Sequence, residues 1–373
     1  KFQNKFKMIK FYDLKRLDKK IHPKILKKIK KILTRGDYIL GDEVSIFEKN
    51  FSKFIGCKYA LGCANGTDAI TLALKSLNLP SNSEVIIPAM TYCSTAFAVL
   101  NAGLKPVLVD LEKDKPTIDY IEIKKKITNK TKVIMPVHLY GSSANLFEIK
   151  KIIKKYKRKI YLIDDCAQAH GLIDDSSQKN KKVGSTADIS CFSLYPGKNL
   201  GGYGDAGVIT TNSNNFYKII KNLRNLGSDK KFIHSRVGQN SRLDTIQAAI
   251  LNVKLNYLIR NNNKRKNLAK LYKKYILNKK ISKLQYSKNC VFHQYVILSK
   301  KRKKLIKLFD RHKIQYGFHY PYTINQLKVF KMKYKTKKFK YAEKLAKEGL
   351  SIPIDPNLKL KDIKKIIKVI NLL

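Results

Sequence analysis

Acidic residues are scarce in this chain. Its 373 residues hold 27 Asp+Glu against 78 Lys+Arg, a net charge of +51. Arginine is scarce too, supplying only 10 of those cations. Such a charge by itself points to nucleic acid or an anionic surface. The shortage of arginine argues against that, because arginine is the better bidentate reader of phosphates and bases. The lysines are also scattered over every polar helix face, a pattern that an AT-rich coding bias would leave. No specific nucleic-acid partner is expected, only non-specific polyanion binding at low salt.

Cysteine is sparse and unpatterned. Cys57, Cys63, Cys93, Cys166, Cys191 and Cys290 show no CxxC and no Cys/His metal spacing, so no metal site is expected. Most lie in apolar runs and read as small core residues, which suits a reducing cytoplasm. No apolar run approaches ~20 residues, and the start Lys1-Phe-Gln-Asn-Lys5 is polar. Neither a membrane span nor a signal peptide is expected. Repeats are absent as well. What the chain does have is 43% hydrophobic residues, enough for a large core and, at this length, two domains.

Six apolar runs read as buried strands: residues 84–88, 106–110, 132–137, 160–164, 189–195 and 206–211. Helical segments separate most of them, such as 95–101 and 146–156. This alternation predicts an α/β fold with a mostly parallel sheet and helices on both faces. A long polar helix after Arg242, through Ala248, Leu251, Leu255 and Leu258, reads as a bridge. It divides a large domain, residues 1–260, from a smaller C-terminal α+β domain, residues 261–373. The smaller domain is expected to hold a strand at 290–298, a helix at 301–312, and a closing helix with Ile363, Ile366, Ile367 and Ile370 on one face. The N-terminal segment, about 1–20, is a candidate to pack on the small domain. The polar loop 174–182 is expected to be exposed.

Three segments carry chemistry. The first is Ser193-Leu-Tyr-Pro-Gly-Lys198-Asn-Leu-Gly-Gly-Tyr-Gly-Asp-Ala-Gly207. It sets one lysine among glycines and aromatics at a strand end, where glycine lets the backbone approach a ligand. An amine there can form a Schiff base with a carbonyl, as with pyridoxal phosphate, or it can be one more solvated lysine. The second is Leu61-Gly-Cys-Ala-Asn-Gly66-Thr67-Asp-Ala-Ile70, leading into a helix with Ile70, Ala73, Leu74 and Leu77 on one face. A Gly-Thr helix start offers N–H groups and a hydroxyl to a phosphate, or is a plain cap. The third is Ile160-Tyr-Leu-Ile-Asp164-Asp165-Cys-Ala-Gln168-Ala-His170-Gly171. A carboxylate beyond a strand end can keep a pyridine nitrogen protonated. Asp165 is preferred for that role, with Asp164, His138 and His170 read as structural.

Together these segments resemble the fold type I, pyridoxal-phosphate-dependent aminotransferases of nucleotide sugars, the DegT type. Further matches run along nearly the whole chain: Phe11-Tyr-Asp-Leu-Lys15, Tyr38-Ile-Leu-Gly-Asp-Glu-Val44, Ile87-Pro-Ala-Met-Thr-Tyr92, Pro136-Val-His-Leu-Tyr-Gly141, Gly238-Gln-Asn240-Ser-Arg-Leu-Asp244, Phe318-His-Tyr-Pro321 and Leu350-Ser-Ile-Pro-Ile-Asp-Pro356. The resemblance implies that Lys198 holds the coenzyme and moves the proton, while Asp165 pairs with the pyridine nitrogen. It implies Gln168 on the ring hydroxyl oxygen, Tyr92 on the ring face, and Gly66, Thr67 and Ser193 on the phosphate. Asn240 would reach the phosphate from a partner subunit, which implies a homodimer with shared active sites. His319 and Tyr320 are the candidates for the sugar nucleotide.

The implied reaction moves an amino group from L-glutamate to a keto sugar on a nucleoside diphosphate, as in deoxysugar or surface-polysaccharide synthesis. Lysine at position 198 speaks against the family's dehydratase branch, which has histidine there. Tyr195-Pro-Gly-Lys-Asn-Leu-Gly201 followed by Gly204-Asp-Ala-Gly207 is similar to the branch that aminates C3 of a dTDP-3-keto-6-deoxyhexose. A C4 aminotransferase and a UDP-sugar 3-aminotransferase are the alternatives inside the family. A coenzyme-binding regulator and a basic polyanion-binding protein are the alternatives outside it. One departure stands out: Asn325 and Leu327 occupy positions where the family usually has histidine and glutamine.

Overall fold

The computed structural model describes residues 8–15, 19–177, 180–332, 334 and 338–373. Its central sheet has seven strands: β1 (Tyr59–Cys63), β2 (Glu84–Pro88), β3 (Lys105–Val109), β4 (Thr131–Ile134), β5 (Tyr161–Asp165), β6 (Ile189–Ser193) and β7 (Gly207–Thr211). Their order is β1-β7-β6-β5-β4-β2-β3. Strands β3, β2, β4, β5 and β6 are mutually parallel. Strand β7 runs antiparallel to both neighbours, β6 and β1.

Each of the six apolar runs holds one of β2–β7. In β2, Val85, Ile86 and Ile87 are fully buried, as a sheet covered on both faces requires. The runs 132–137 and 189–195 continue beyond the strands they contain, because apolar residues also line the turns under the sheet edge. Pattern reading misses β1: its short Tyr-Ala-Leu-Gly-Cys run is interrupted by Gly62, and pairing with β7 is what holds it extended.

The helices begin at polar caps. Asn65 Oδ1 accepts from Asp68 N at 2.8 Å ahead of helix Gly66–Ser76. Asn145 and Ser213 do the same for helices Leu146–Lys154 and Asn214–Leu223. The expected single helix after Arg242 is two helices, Thr245–Leu255 and Leu258–Tyr275, and the second runs on past residue 260. At the break, Asn256 Nδ2 donates to Asn252 O (3.2 Å), drawing the side chain onto the backbone.

A short hairpin, β8 (Ser228–Lys230) and β9 (Ile233–His234), follows the helix Asn214–Leu223. A three-stranded antiparallel sheet joins β10 (Ser282–Lys283), β11 (Tyr295–Leu298) and β12 (Gly349–Ile352). The strand expected over 290–298 is confined to its last four residues; of the rest, His293 and Gln294 line a cavity and Val291 is buried in a core. Helices Arg302–Arg311 and Leu360–Asn371 back this sheet, packing Leu305, Phe309, Ile363 and Ile366 into one core. Residues 8–13 lie against it: Ile9 N–H donates to Lys313 O, and Asp13 N–H to Asp355 Oδ2. Residues 1–7 and 16–18 of the N-terminal segment lie outside the described residues.

The loop 174–182 differs from expectation at its start. Asp174 is buried, and its carboxylate accepts from Ser176 N–H and Oγ. Residues 178 and 179 lie outside the described residues. No helix among the described residues is long and apolar enough to cross a membrane.

Candidate active site

The carboxyl ends of parallel strands β5 and β6 open on one edge of the sheet, where open α/β sheets collect ligands. A cavity of about 730 Å³ lies there. It brings together Gly66, Thr67, Tyr92, Asp165, Gln168, Ser193, Lys198, His319 and Tyr320. Asn240 is the exception among the sequence-derived site residues. It is exposed and does not line this cavity; its backbone pairs with Asn225.

Lys198 sits in the turn after β6, its N–H donating to Tyr195 O. Burial pushes its amine down from 10.5 to about 8, and the opposite charge of Asp165 works against that fall. Asp165 is buried, and burial raises its carboxyl. Ala167 N–H (3.0 Å), Thr95 Oγ1 (2.8 Å) and the Lys198 charge pull it back. Neighbouring Asp164 points to the other face of the sheet, as strand alternation requires. Both its oxygens lack a hydrogen-bond partner among the described residues, and His138 Nε2 lies 3.7 Å away.

His138 Nδ1 accepts from Ala144 N–H, so its Nε2 carries the proton toward Asp164. These two and Cys166 bring ligand-type atoms within 4.8 Å of one another. A protonated Nε2 facing the carboxylate makes this a buried polar pair, not a set of lone pairs aimed at an ion. His170 is likewise buried, with both ring nitrogens unpartnered among the described residues. Burial and the Lys198 charge lower it to about 3, so its ring is neutral.

Helix Gly66–Ser76 begins in the cavity wall. Its first-turn N–H groups have no preceding turn to bond. Gly66 is held tightly here: a Cβ on it would come within 2.5 Å of Ser193 Cβ. Thr67 Oγ1 donates to Ser94 Oγ at 2.9 Å. Hydroxyls, N–H groups and a helix N-terminus thus converge on one spot, the donor set a phosphate needs. The buried amine and carboxylate line the same cavity. This donor set fits pyridoxal phosphate: Lys198 for its carbonyl carbon, Asp165 for its ring nitrogen, and Gly66, Thr67 and Ser193 for its phosphate.

The remaining walls are aromatic and polar. Tyr92 is half exposed, its ring 5.3 Å from that of Tyr320. Gln168 Oε1 accepts from Tyr140 N–H at 2.6 Å, and its Nε2 donates to Tyr320 OH at 3.0 Å. His319 stacks on Phe11 and shares a 2.8 Å hydrogen bond between Nδ1 and Ser351 Oγ. Burial and the Lys198 charge lower it to about 4.

Tyr12, Thr95, His293 and Gln294 are among the cavity residues to which sequence reading gave no role. Thr95 had a usable signal, three residues after Tyr92 on the same helix. Tyr12 had none, since 281 residues separate it from its partner His293. Asn325 and Leu327 stay out of the cavity. Asn325 is buried against Thr323 and Glu343, and Leu327 packs on the main core.

Comparison with known proteins agrees with this geometry. A dTDP-3-amino-3,6-dideoxy-α-D-galactopyranose transaminase of Aneurinibacillus thermoaerophilus is 38% identical over 366 residues, covering 98% of this chain and 99% of that one. A dTDP-3-amino-3,4,6-trideoxy-α-D-glucose transaminase of Streptomyces venezuelae is 31% identical, over 97% and 95%. The crystal structure of DesV from S. venezuelae superimposes with a TM-score of 0.94 at 31% identity, over 98% of each chain. The fold is therefore the mostly parallel α/β fold of the type I aminotransferases. The family model for DegT/DnrJ/EryC1/StrS aminotransferases matches residues 19–371, and the chain belongs to that family.

Proposed function

We propose that this chain is a pyridoxal-phosphate-dependent aminotransferase acting on C3 of a 3-keto-6-deoxyhexose carried on dTDP, with L-glutamate as amino donor. The observation that carries this reading is one cavity lined by a lysine amine lowered to about 8, a buried carboxylate, and a helix N-terminus with two hydroxyls. The 38% identity to a dTDP-3-amino-3,6-dideoxyhexose transaminase supports the substrate class. The ending Gly204-Asp-Ala-Gly207, close to Lys198 in sequence, supports C3 over C4.

When bound, the coenzyme supplies an electron sink for breaking a C–H bond. The chain's residues do the rest. Lys198 Nζ, neutral in about half of the molecules at pH 8, takes and returns the proton at the reacting carbon. Asp165, held by Thr95 and Ala167, keeps negative charge beside the ring nitrogen. Gly66, Thr67 and Ser193 anchor the phosphate so that the reacting atoms stay in reach. Tyr92 and Tyr320 exclude water from the ring face.

A homodimer completes the reading. Phe232 is 84% and Val237 93% exposed on the loop that carries Asn240, and Tyr38, Ile39 and Leu40 are exposed as well. Large apolar side chains left exposed in this way support a partner surface, and Asn240 would then reach the partner's phosphate site. Six unpaired cysteines support a reducing cytoplasm as the compartment.

The test is an assay of purified, coenzyme-loaded protein with glutamate and each of two sugars, dTDP-3-keto- and dTDP-4-keto-6-deoxyhexose. Mass spectrometry should find the 3-amino sugar, with the higher kcat/KM on the 3-keto isomer. A preference for the 4-keto isomer would reverse the C3 assignment and leave the transaminase reading in place.

A further inference from the structure

Gln294 is 1% exposed, yet it lines the cavity. Its amide is only half used. Nε2 donates to Tyr12 OH at 2.8 Å and lies 3.5 Å from His319 Nε2. Oε1 has no hydrogen-bond partner among the described residues. The network fixes which amide atom is left over. Tyr12 O–H donates to His293 O (3.1 Å), so the phenol oxygen can only accept from Gln294. Burial pushes the Tyr12 phenol up to about 12, so it keeps that proton across the working pH range. Nε2 must face Tyr12, and Oε1 is left as a buried acceptor in need of a donor.

Position narrows the donor. Gln294 and His319 line the same cavity as Lys198. C2 and C4 flank C3 of a sugar, so with the nucleotide at C1 held toward the cavity mouth and C3 at Lys198, C2 would face the mouth and C4 the interior. We infer, resting on the substrate class proposed above, that Gln294 Oε1 accepts a hydrogen bond from the C4 hydroxyl of the sugar and selects 4-hydroxylated substrates over 4-deoxy ones. Tyr12 acts through Gln294 as a positioning residue, and Gln294 is the specificity residue.

The experiment compares two product ligands, dTDP-3-amino-3,6-dideoxyhexose and its 4-deoxy counterpart, on coenzyme-loaded protein. Titration calorimetry gives the ratio of Kd values, and kcat/KM on the matching 3-keto sugars gives a second ratio. Wild-type protein should favour the 4-hydroxylated member about 10- to 100-fold, the range expected when a buried acceptor loses its donor. In Gln294→Met both ratios should fall to within about threefold of one. Tyr12→Phe frees the amide to turn, so it should lower both ratios as well, and it decides the matter if Gln294→Met does not fold. Unchanged ratios in the variants overturn the inference, since a bound water would then satisfy Oε1. Wild-type protein that binds both ligands equally overturns it too. Wild-type protein that binds neither refutes the substrate class and this inference with it.

Discussion

Lys198 and Asp165 set each other's protonation. Burial disfavours the charge on each, and the opposite charge across the cavity restores part of it. The folded amine titrates near 8, whereas an ordinary lysine titrates at 10.5. Between those values the folded protein binds fewer protons than the unfolded chain, so this group's contribution to stability rises with pH across that window. Capture of pyridoxal phosphate needs the neutral amine. Its rate on coenzyme-free protein, followed by absorbance, should rise through a midpoint near pH 8. In Asp165→Asn the midpoint should fall, because the charge that raised it is gone. Turnover of that variant should drop by ~10²–10³ in a protein that still folds, as for other preorganised electrostatic groups. Near-normal turnover in Asp165→Asn would remove Asp165 from the chemistry.

The elements matter through their ends. Helix Gly66–Ser76 and strand β6 deliver their polar termini to the same spot because Gly66 lets them touch Ser193. The backbone of Gly66 is ordinary, so the constraint is space and not a left-handed conformation. Gly66→Ala would place a carbon 2.5 Å from Ser193 Cβ and force the two elements apart. Overpacking of that kind costs about 1–3 kcal/mol. The expected outcome is a lower melting temperature together with faster loss of coenzyme on dialysis. Unaltered coenzyme retention in Gly66→Ala would show that the phosphate does not sit at this junction. Strand β5 makes the same point by alternation: Asp165 enters the cavity only because Asp164 faces away.

The whole molecule raises the question of the second subunit. Asn240 is exposed and does not line its own chain's cavity, while the loop around it carries Phe232, Ile233 and Val237 in the open. If Asn240 serves a neighbouring site, two damaged chains can repair each other. Mixing Lys198→Ala with Asn240→Ala protein should restore about half of the wild-type activity per mixed dimer, or about a quarter of the total at full exchange, since mixed dimers keep one intact site. Subunit exchange should be followed by mass spectrometry of the native assembly. Exchange without any return of activity would place Asn240 outside the partner's site.

Much of this protein was legible as one-dimensional pattern. Apolar runs separated by helical segments dictated a covered parallel sheet, because a strand buried on both faces is apolar along most of its length. The strand-end lysine, the paired aspartates and the Gly-Thr helix start were legible because their chemistry sits in consecutive residues. Only the tertiary structure decided which aspartate enters the cavity and that Asn325 turns into the core. It alone brought Tyr12, His293 and Gln294 into the wall of the cavity that holds Lys198 and Asp165. Those last contacts join residues some 280 positions apart. No local periodicity encodes such a pairing; it follows from how residues 8–13 dock on the edge of the C-terminal sheet.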